Sequence, residues 1–100
     1  MRYDTQIFFQ KNFPGTYDTE TGNYEEDTVK EEMRYASVMD TKTEMLKLVY
    51  GSVKQGSLTL HIQNHYKKEF DFIRIGEKRY QVDYTRKLRT KQTFIVSEVA

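Results

Sequence analysis

Between Phe70 and Tyr84 the chain reads FDFIRIGEKRYQVDY. Apolar and polar residues alternate, pause at Gly76, and alternate again. Successive side chains of a strand point to opposite faces, so each run carries one apolar face. Two such runs joined by a glycine-bearing turn make a β-hairpin. If Glu77-Lys78 form the turn, Ile75 lies opposite Tyr80 and Ile73 opposite Val82. If Gly76-Glu77 form a type II′ turn, Ile73 lies opposite Tyr80. In both registers Ile73, Ile75, Tyr80, Val82 and Tyr84 face the core. Four basic residues follow (Arg86, Lys87, Arg89 and Lys91), so the hairpin is either a nucleic-acid finger or part of a core frame with a cationic loop at its end.

The rest of the chain repeats the short-period pattern. Residues 3–11, YDTQIFFQK, predict a strand centred on Ile7, Phe8 and Phe9. Turn signals at Pro14-Gly15 and Thr21-Gly22-Asn23 bracket a long polar connection, a candidate projecting loop carrying Pro14, Gly15, Tyr17, Gly22 and Tyr24. Residues 24–39 predict a second long strand, antiparallel to the first, with Arg34, Ala36 and Val38 on one face and Met33, Tyr35 and Ser37 on the other. In DTKTEMLKLVYG, Thr41 and Glu44 have capping-box spacing, Met45, Leu48 and Val49 fall at i, i+3, i+4, and Gly51 stands at the C-cap. This predicts one helix of about ten residues. Residues 57–65 alternate with Leu58, Leu60 and Ile62 inward and Thr59, His61 and Gln63 outward, and TFIVSEV closes the chain as a last strand. The fold class is all-β, mainly antiparallel: about six strands and one short α-helix, without βαβ rhythm, in a small barrel or sandwich. One hundred residues form a single domain, 1–100.

Charge is spread unevenly. Residues 1–50 carry six Lys/Arg and ten Asp/Glu, 6 − 10 = −4; residues 51–100 carry ten and five, 10 − 5 = +5. The net is only +1, so no global field favours nucleic acid or membrane. A chain with this split can associate head to tail, acidic surface on basic surface. The apolar share is 37%, with eight tyrosines in it. That is a thin core, or one completed by burying Tyr against a neighbouring chain. There is no cysteine, hence neither a disulfide nor a thiolate metal site. No apolar run reaches the roughly 18 residues of a membrane span, and the chain opens on a strand pattern without a leader, which points to a cytoplasmic protein.

Chemistry-bearing motifs are sparse. His61 and His65, four apart on a strand, are about 13 Å distant and cannot share one ion. DTETGNYEEDT fails the calcium-loop pattern, because counting from Asp18 places Gly22 at position 5 and Asn23 at position 6. There is neither a nucleophile elbow nor a phosphate-cradling glycine loop. The expectation is a protein that is not an enzyme and holds no cofactor or metal. The run Lys78–Lys91, with Tyr80 and Tyr84 interleaved, is the best nucleic-acid signal. Small barrels bind single strands through charged grooves and stacked aromatics, but rings buried on the core face cannot stack on bases.

The order of elements carries a resemblance. A strand IFFQ leads to GTYDTETGNYEED, then YASVMDTKTEMLKLVYG, IRIGEKRYQV and a closing TFIVSEV. Over nearly its whole length the chain resembles the small head–tail connector proteins of long-tailed bacteriophages, the head-completion or stopper family. The resemblance implies a small antiparallel β-barrel forming a ring beneath the portal and adaptor, docking the tail terminator, and touching DNA transiently. It implies a virion protein assembled in the bacterial cytoplasm, without a membrane. In that family a loop between early strands can serve as the gate of the DNA channel. The corresponding segment here, about Asp40 to Ser57, carries the capped helix instead, which leaves Lys42, Lys47 and Lys54 as candidates to face channel DNA. Met45, Leu48 and Val49 otherwise plug one open end of the barrel. Arg86, Lys87, Arg89 and Lys91 become a basic loop for partner docking. The alternative is a single-stranded nucleic-acid-binding barrel reading through Arg86, Lys87 and Arg89. A small enzyme using His61 or His65 is the third hypothesis.

Overall fold

Period-two alternation becomes a closed barrel in the computed structural model of the chain, which describes residues 2–13, 15, 17–18, 22–24, 28–52 and 56–99. The elements are β1 (Thr5–Phe13), β2 (Tyr17–Asp18), β3 (Asn23–Tyr24), β4 (Thr28–Asp40), α1 (Thr43–Tyr50), β5 (Ser57–Gln63), β6 (Phe72–Ile75), β7 (Lys78–Lys87) and β8 (Lys91–Glu98). Around the barrel the order is β1-β4-β5-β8-β7-β6, and β2 pairs with β3 in a separate two-stranded ladder. Every pairing is antiparallel. The barrel closes where β6 returns to β1, with Phe9 opposite Ile73 and Phe8 opposite Arg74.

The inward parities merge into one core. Ile7, Phe9, Ala36, Leu60, Ile62, Ile73, Tyr80, Phe94 and Val96 are buried together. The 64–71 connection closes one end of this core. Asn64 takes the left-handed φ of 65° that Asn tolerates better than most residues, and its amide donates to the Thr90 carbonyl. The chain then turns inward, and the Tyr66 amide donates to Gln92 Oε1 at 2.8 Å. The Tyr66 ring stacks on Phe9 with centroids 3.8 Å apart. Phe70 meets Phe9 and Phe94 edge to face. Phe70 thus belongs to the plug and not to the hairpin strand, which starts at Phe72.

The hairpin itself uses Gly76-Glu77 as its turn, with Ile73 opposite Tyr80 and Ile75 opposite Lys78. Positive φ occurs at the first central residue alone (Gly76, 59°), the type II′ pattern, whose twist suits the flanking strands. One expectation fails. Tyr84 does not share the core face of Tyr80 and Val82. The register shifts between Val82 and Tyr84, so that Val82 lies opposite Val96 and Tyr84 opposite Ile95. Asp83 is the extra residue, and a bulge of this kind turns the following side chains over. Tyr80 stays buried at 7% exposure, while Tyr84 is 42% exposed on the outer wall.

The helix also differs from its prediction. It spans Thr43–Tyr50, with Lys42 at the N-cap and no side-chain cap. Thr41 Oγ1 does not cap it, because that hydroxyl meets Ser57 Oγ at 2.9 Å and accepts from Thr59 Oγ1 at 3.0 Å. Gly51 is the C-cap as expected, at φ 75°, its amide donating to the Lys47 carbonyl. The buried side chain is Leu46, followed by the partly buried Val49 and Tyr50, whereas Leu48 is 80% exposed and Met45 exposed. Nor do Met45, Leu48 and Val49 plug an open end of the barrel. The Tyr50 hydroxyl donates to Asp83 Oδ2 at 2.5 Å and lies 3.3 Å from Ser57 Oγ, which fastens the helix to the outer wall.

β1 and β4 outrun the barrel. They pair from Thr5 opposite Ala36 to Phe13 opposite Thr28. β6 covers β1 only through Gln10, and β5 covers β4 only from Ala36. The remainder is a two-stranded ribbon, continued by the β2–β3 ladder, and the molecule measures 55 × 29 × 23 Å. The expected projecting loop is therefore partly regular. Tyr17 lies opposite Tyr24 across the ladder, and Gly22 turns with φ 74°. Gly15 is half-buried, and Pro14 lies outside the described residues.

Phe9 joins barrel wall and plug, so Phe9→Ala is expected to cost about 3–5 kcal/mol. That is a large part of the total stability of a small domain. Urea unfolding checks this, and a loss below about 1 kcal/mol would contradict the described plug.

Candidate functional site

Strand order sets the surface geography. The β1–β4 pair and the β8–β7 pair are separated by β5 on one side and β6 on the other. They therefore stand on opposite walls. The ribbon and the β7–β8 turn nevertheless project at the same end, because β4 begins and β7 ends there. In the sequence the segment from Tyr17 to Glu32 holds seven acidic residues and one lysine, and of these carboxylates Glu31 and Glu32 stand on β4 at the root of the ribbon. On the wall opposite the ribbon, Arg86, Lys87, Arg89 and Lys91 are all exposed. Among the described residues the ion pairs are Lys11–Asp71, Lys68–Glu32, Arg74–Glu31 and Lys78–Glu98, none of which involves these four. Arg86 and Lys87 end β7, Lys91 begins β8 and Arg89 lies in the turn between them, so the four stand together at one hairpin end.

The outer face of that hairpin is also apolar. Residues of outward parity run across the strands as Met39, Thr59, Ile95 and Tyr84, each opposite the next. With Met45 of α1, Leu88 and Arg86 they line a groove of about 430 Å³. Met39, Met45, Tyr84 and Leu88 are 36–42% exposed, while Ile95 at its floor is fully buried. The sequence marks this groove poorly. FIVS reads as one apolar strand without saying that Ile95 faces outward to a surface, and the bulge that exposes Tyr84 interrupts a perfect alternation.

The three lysines suggested for a DNA channel do not form one cluster. Lys42 lines the groove beside Arg86's wall. Lys47 lies in the last turn of α1, exposed and away from the groove lining. Lys54 lies outside the described residues.

The histidines are apart and occupied. His61 is half-buried, with Nδ1 3.0 Å from Thr93 Oγ1. Burial, and then the Lys91 charge, lower its pKa below 6.5. His65 is beyond the end of β5 and donates from Nε2 to the Leu88 carbonyl. It therefore does not continue the outward face of His61. Among the described residues no three His, Cys, Asp or Glu groups are placed to hold a metal ion.

A second cleft, at the root of the ribbon, sets aromatic rings beside charged side chains. Phe9, Lys11, Phe13, Glu31, Glu32, Tyr66 and Lys68 border it. The Tyr66 hydroxyl donates to Glu32 Oε2 at 3.0 Å. Burial, then the neighbouring carboxylate, push it up to about 12. Glu31 accepts from Arg74 Nε at 2.7 Å and from Gln10 Nε2 at 2.9 Å. These bonds, Arg74 first, hold the Glu31 carboxyl below its ordinary 4.5. Glu31 and Glu32 are thus paired within the chain, which fixes the direction of the ribbon, while Gln10 Oε1 is buried without a hydrogen-bond partner among the described residues.

Comparison with known proteins finds no match: no family model, no curated protein and no solved structure is significantly similar to the chain.

The lowered Glu31 value sets the sign of an acid response. A carboxyl whose folded-state pKa is lowered stabilises the fold above its unfolded value, and that contribution disappears as pH falls through the folded value. Thermal unfolding is expected to show stability declining below about pH 4.5, with Glu31→Gln flattening that decline and costing little at neutral pH, since the pair is partly exposed. An unchanged acid limb in Glu31→Gln would contradict the assignment.

Proposed function

We propose that the chain is a structural subunit of a bacteriophage head–tail connector, a head-completion or stopper protein. In this reading it forms a ring under the portal and adaptor, closes the DNA-filled head, and docks the tail terminator. It works in the virion after assembly in the bacterial cytoplasm. It makes no chemical conversion and touches DNA in passing. The observation that carries the reading is one closed barrel whose β1–β4 ribbon, leading into a segment of acidic sequence, stands opposite a β7–β8 hairpin whose exposed Arg86, Lys87, Arg89 and Lys91 have no ion pair among the described residues. Repeating units with complementary opposite walls join head to tail, and such contacts close into rings when the rotation per subunit allows it. The sequence pattern of the connector family supports the same reading, as do the exposed apolar residues along β4 and the groove, which suit a subunit covered by neighbours. A near-neutral chain also suits a channel, because many phosphate contacts would grip DNA where sliding is needed.

One observation favours a second reading. Tyr84 is exposed beside Arg86 on the outer face of the hairpin, the pairing of ring and guanidinium that single-stranded nucleic acid uses. The two readings separate in a titration of labelled single- and double-stranded DNA at low and physiological salt. The connector reading predicts weak binding that is negligible at physiological salt. Micromolar or tighter binding to single strands, steep in salt and lost in an Arg86→Ala, Lys87→Ala, Arg89→Ala variant, would replace it with the nucleic-acid reading.

A further inference from the structure

We infer that the notch between residues 64–67 and the β7–β8 turn binds a phosphate group, with Lys67 and Arg89 as its two cations. The inference does not depend on ring assembly.

Two segments distant in the chain build the notch. Asn64, His65 and Lys67 come from the connection after β5, and Arg89 and Thr90 from the turn between β7 and β8. Together they border a space of about 400 Å³. Two hydrogen bonds join the segments: the Asn64 amide donates to the Thr90 carbonyl at 2.6 Å, and His65 Nε2 donates to the Leu88 carbonyl. A third closes the turn itself, the Leu88 amide donating to the Lys91 carbonyl at 2.8 Å. Lys91 borders an adjoining hollow that shares Asn64 and Thr90. The cations are thus set on a framed surface and not on a free loop.

The charge around the notch has one sign. Residues 57–68 hold two Lys/Arg and residues 84–97 hold four, and neither segment contains Asp or Glu. Lys68 is taken by Glu32. Lys67, Arg89 and Lys91 have no carboxylate within 4 Å among the described residues. Glu31, Glu32 and Glu69 border the separate cleft at the root of the ribbon and not this notch.

The lining selects the anion. No apolar side chain borders the notch, so the apolar anchor of a peptide has nothing to rest on. Arg89 offers the planar fork that matches phosphate oxygens, Lys67 a point charge, and Asn64 and Thr90 neutral donors. Phosphate, with its several acceptor oxygens, can engage these groups together, whereas a carboxylate has two oxygens and one charge. The same oxygens occur in free phosphate and in the phosphodiester of a nucleic-acid strand. One phosphate held per chain is a small electrostatic contact, compatible with DNA that is touched and released.

Nuclear magnetic resonance of the 15N-labelled full chain tests the site. Inorganic phosphate is titrated in one arm and a thymidine dinucleotide in the other, with ionic strength held constant by chloride. Saturable shifts are expected at the amides of residues 64–67 and 88–91. In a Lys67→Ala, Arg89→Ala variant the half-saturating concentration should rise about fivefold, as for two exposed charge contacts. Lys42→Ala, at the other end of the barrel, should leave it unchanged. Tighter binding of the dinucleotide would assign the site to a strand, and tighter binding of inorganic phosphate to a free anion. Shifts that do not saturate in either arm, that spread equally over Lys42 and the other exposed cations, or that persist undiminished in the double variant would overturn the inference.

Discussion

Closure of the barrel rests on a short seam between β1 and β6, and Phe9 is the residue that secures it. β6 has only four residues, and its ladder with β1 covers Phe8 to Gln10. On the outside, Arg74 lies 4.0 Å from the centroid of the Phe8 ring and pairs with Glu31, a partly exposed arrangement that contributes little. On the inside, Phe9 is 2% exposed and contacts three aromatic rings, Tyr66, Phe70 and Phe94. Burying one such side chain stabilises by about 1.5–3 kcal/mol, and each favourable ring pair adds about 0.5–1.5 kcal/mol. The inner side therefore dominates the seam. Without it the sheet has two open edges, and open edges pair with other chains.

That seam also determines where the surfaces stand. With β6 joined to β1, the strand order is circular, and β1–β4 and β8–β7 fall opposite one another. An open sheet of the same strands would place the two charged segments on a continuous surface. Closure sets the exposed cations of the β7–β8 hairpin on the wall opposite the β1–β4 ribbon. The polar bonds at the root of the ribbon, Glu31 with Arg74 and Glu32 with Tyr66, then fix the direction in which the acidic segment leaves the barrel.

Much of this was legible because its causes are local. Alternation fixed the inward set of β5 and the two faces of β4, and Gly76 announced a tight hairpin whose register does not change the face assignment. Gly51 marked the helix end through its own backbone freedom. What was illegible has a tertiary cause in each case. Asp83 becomes a bulge while holding the hydroxyl of Tyr50, 33 residues away on the helix, and YQVDYTR contains no sign of it. Thr41 has the spacing of a cap, yet Ser57 and Thr59 engage its hydroxyl across the β4–β5 pairing. Leu46 is buried and Leu48 exposed, and Leu46 shares its helix face with Tyr50, whose hydroxyl bonds Asp83. Tyr66 follows a strand and precedes a polar run, KKE, so nothing nearby marks it as a core ring. For the candidate site, the basic hairpin and acidic segment could be read from charge, whereas the groove and the exposure of Tyr84 depend on the bulge.

The function proposed joins these physical features to a place. A barrel closed by an aromatic seam is a rigid unit, and its complementary walls are suited to repetition around an axis, with any contact to DNA left to a few cations. The most direct measurement is cryo-electron microscopy of the neck of purified virions containing the chain, with its copies counted against the portal. The account predicts a ring of six-stranded barrels between the portal-adaptor assembly and the tail. Virions whose neck holds no such ring, or that lack the chain altogether, would contradict it.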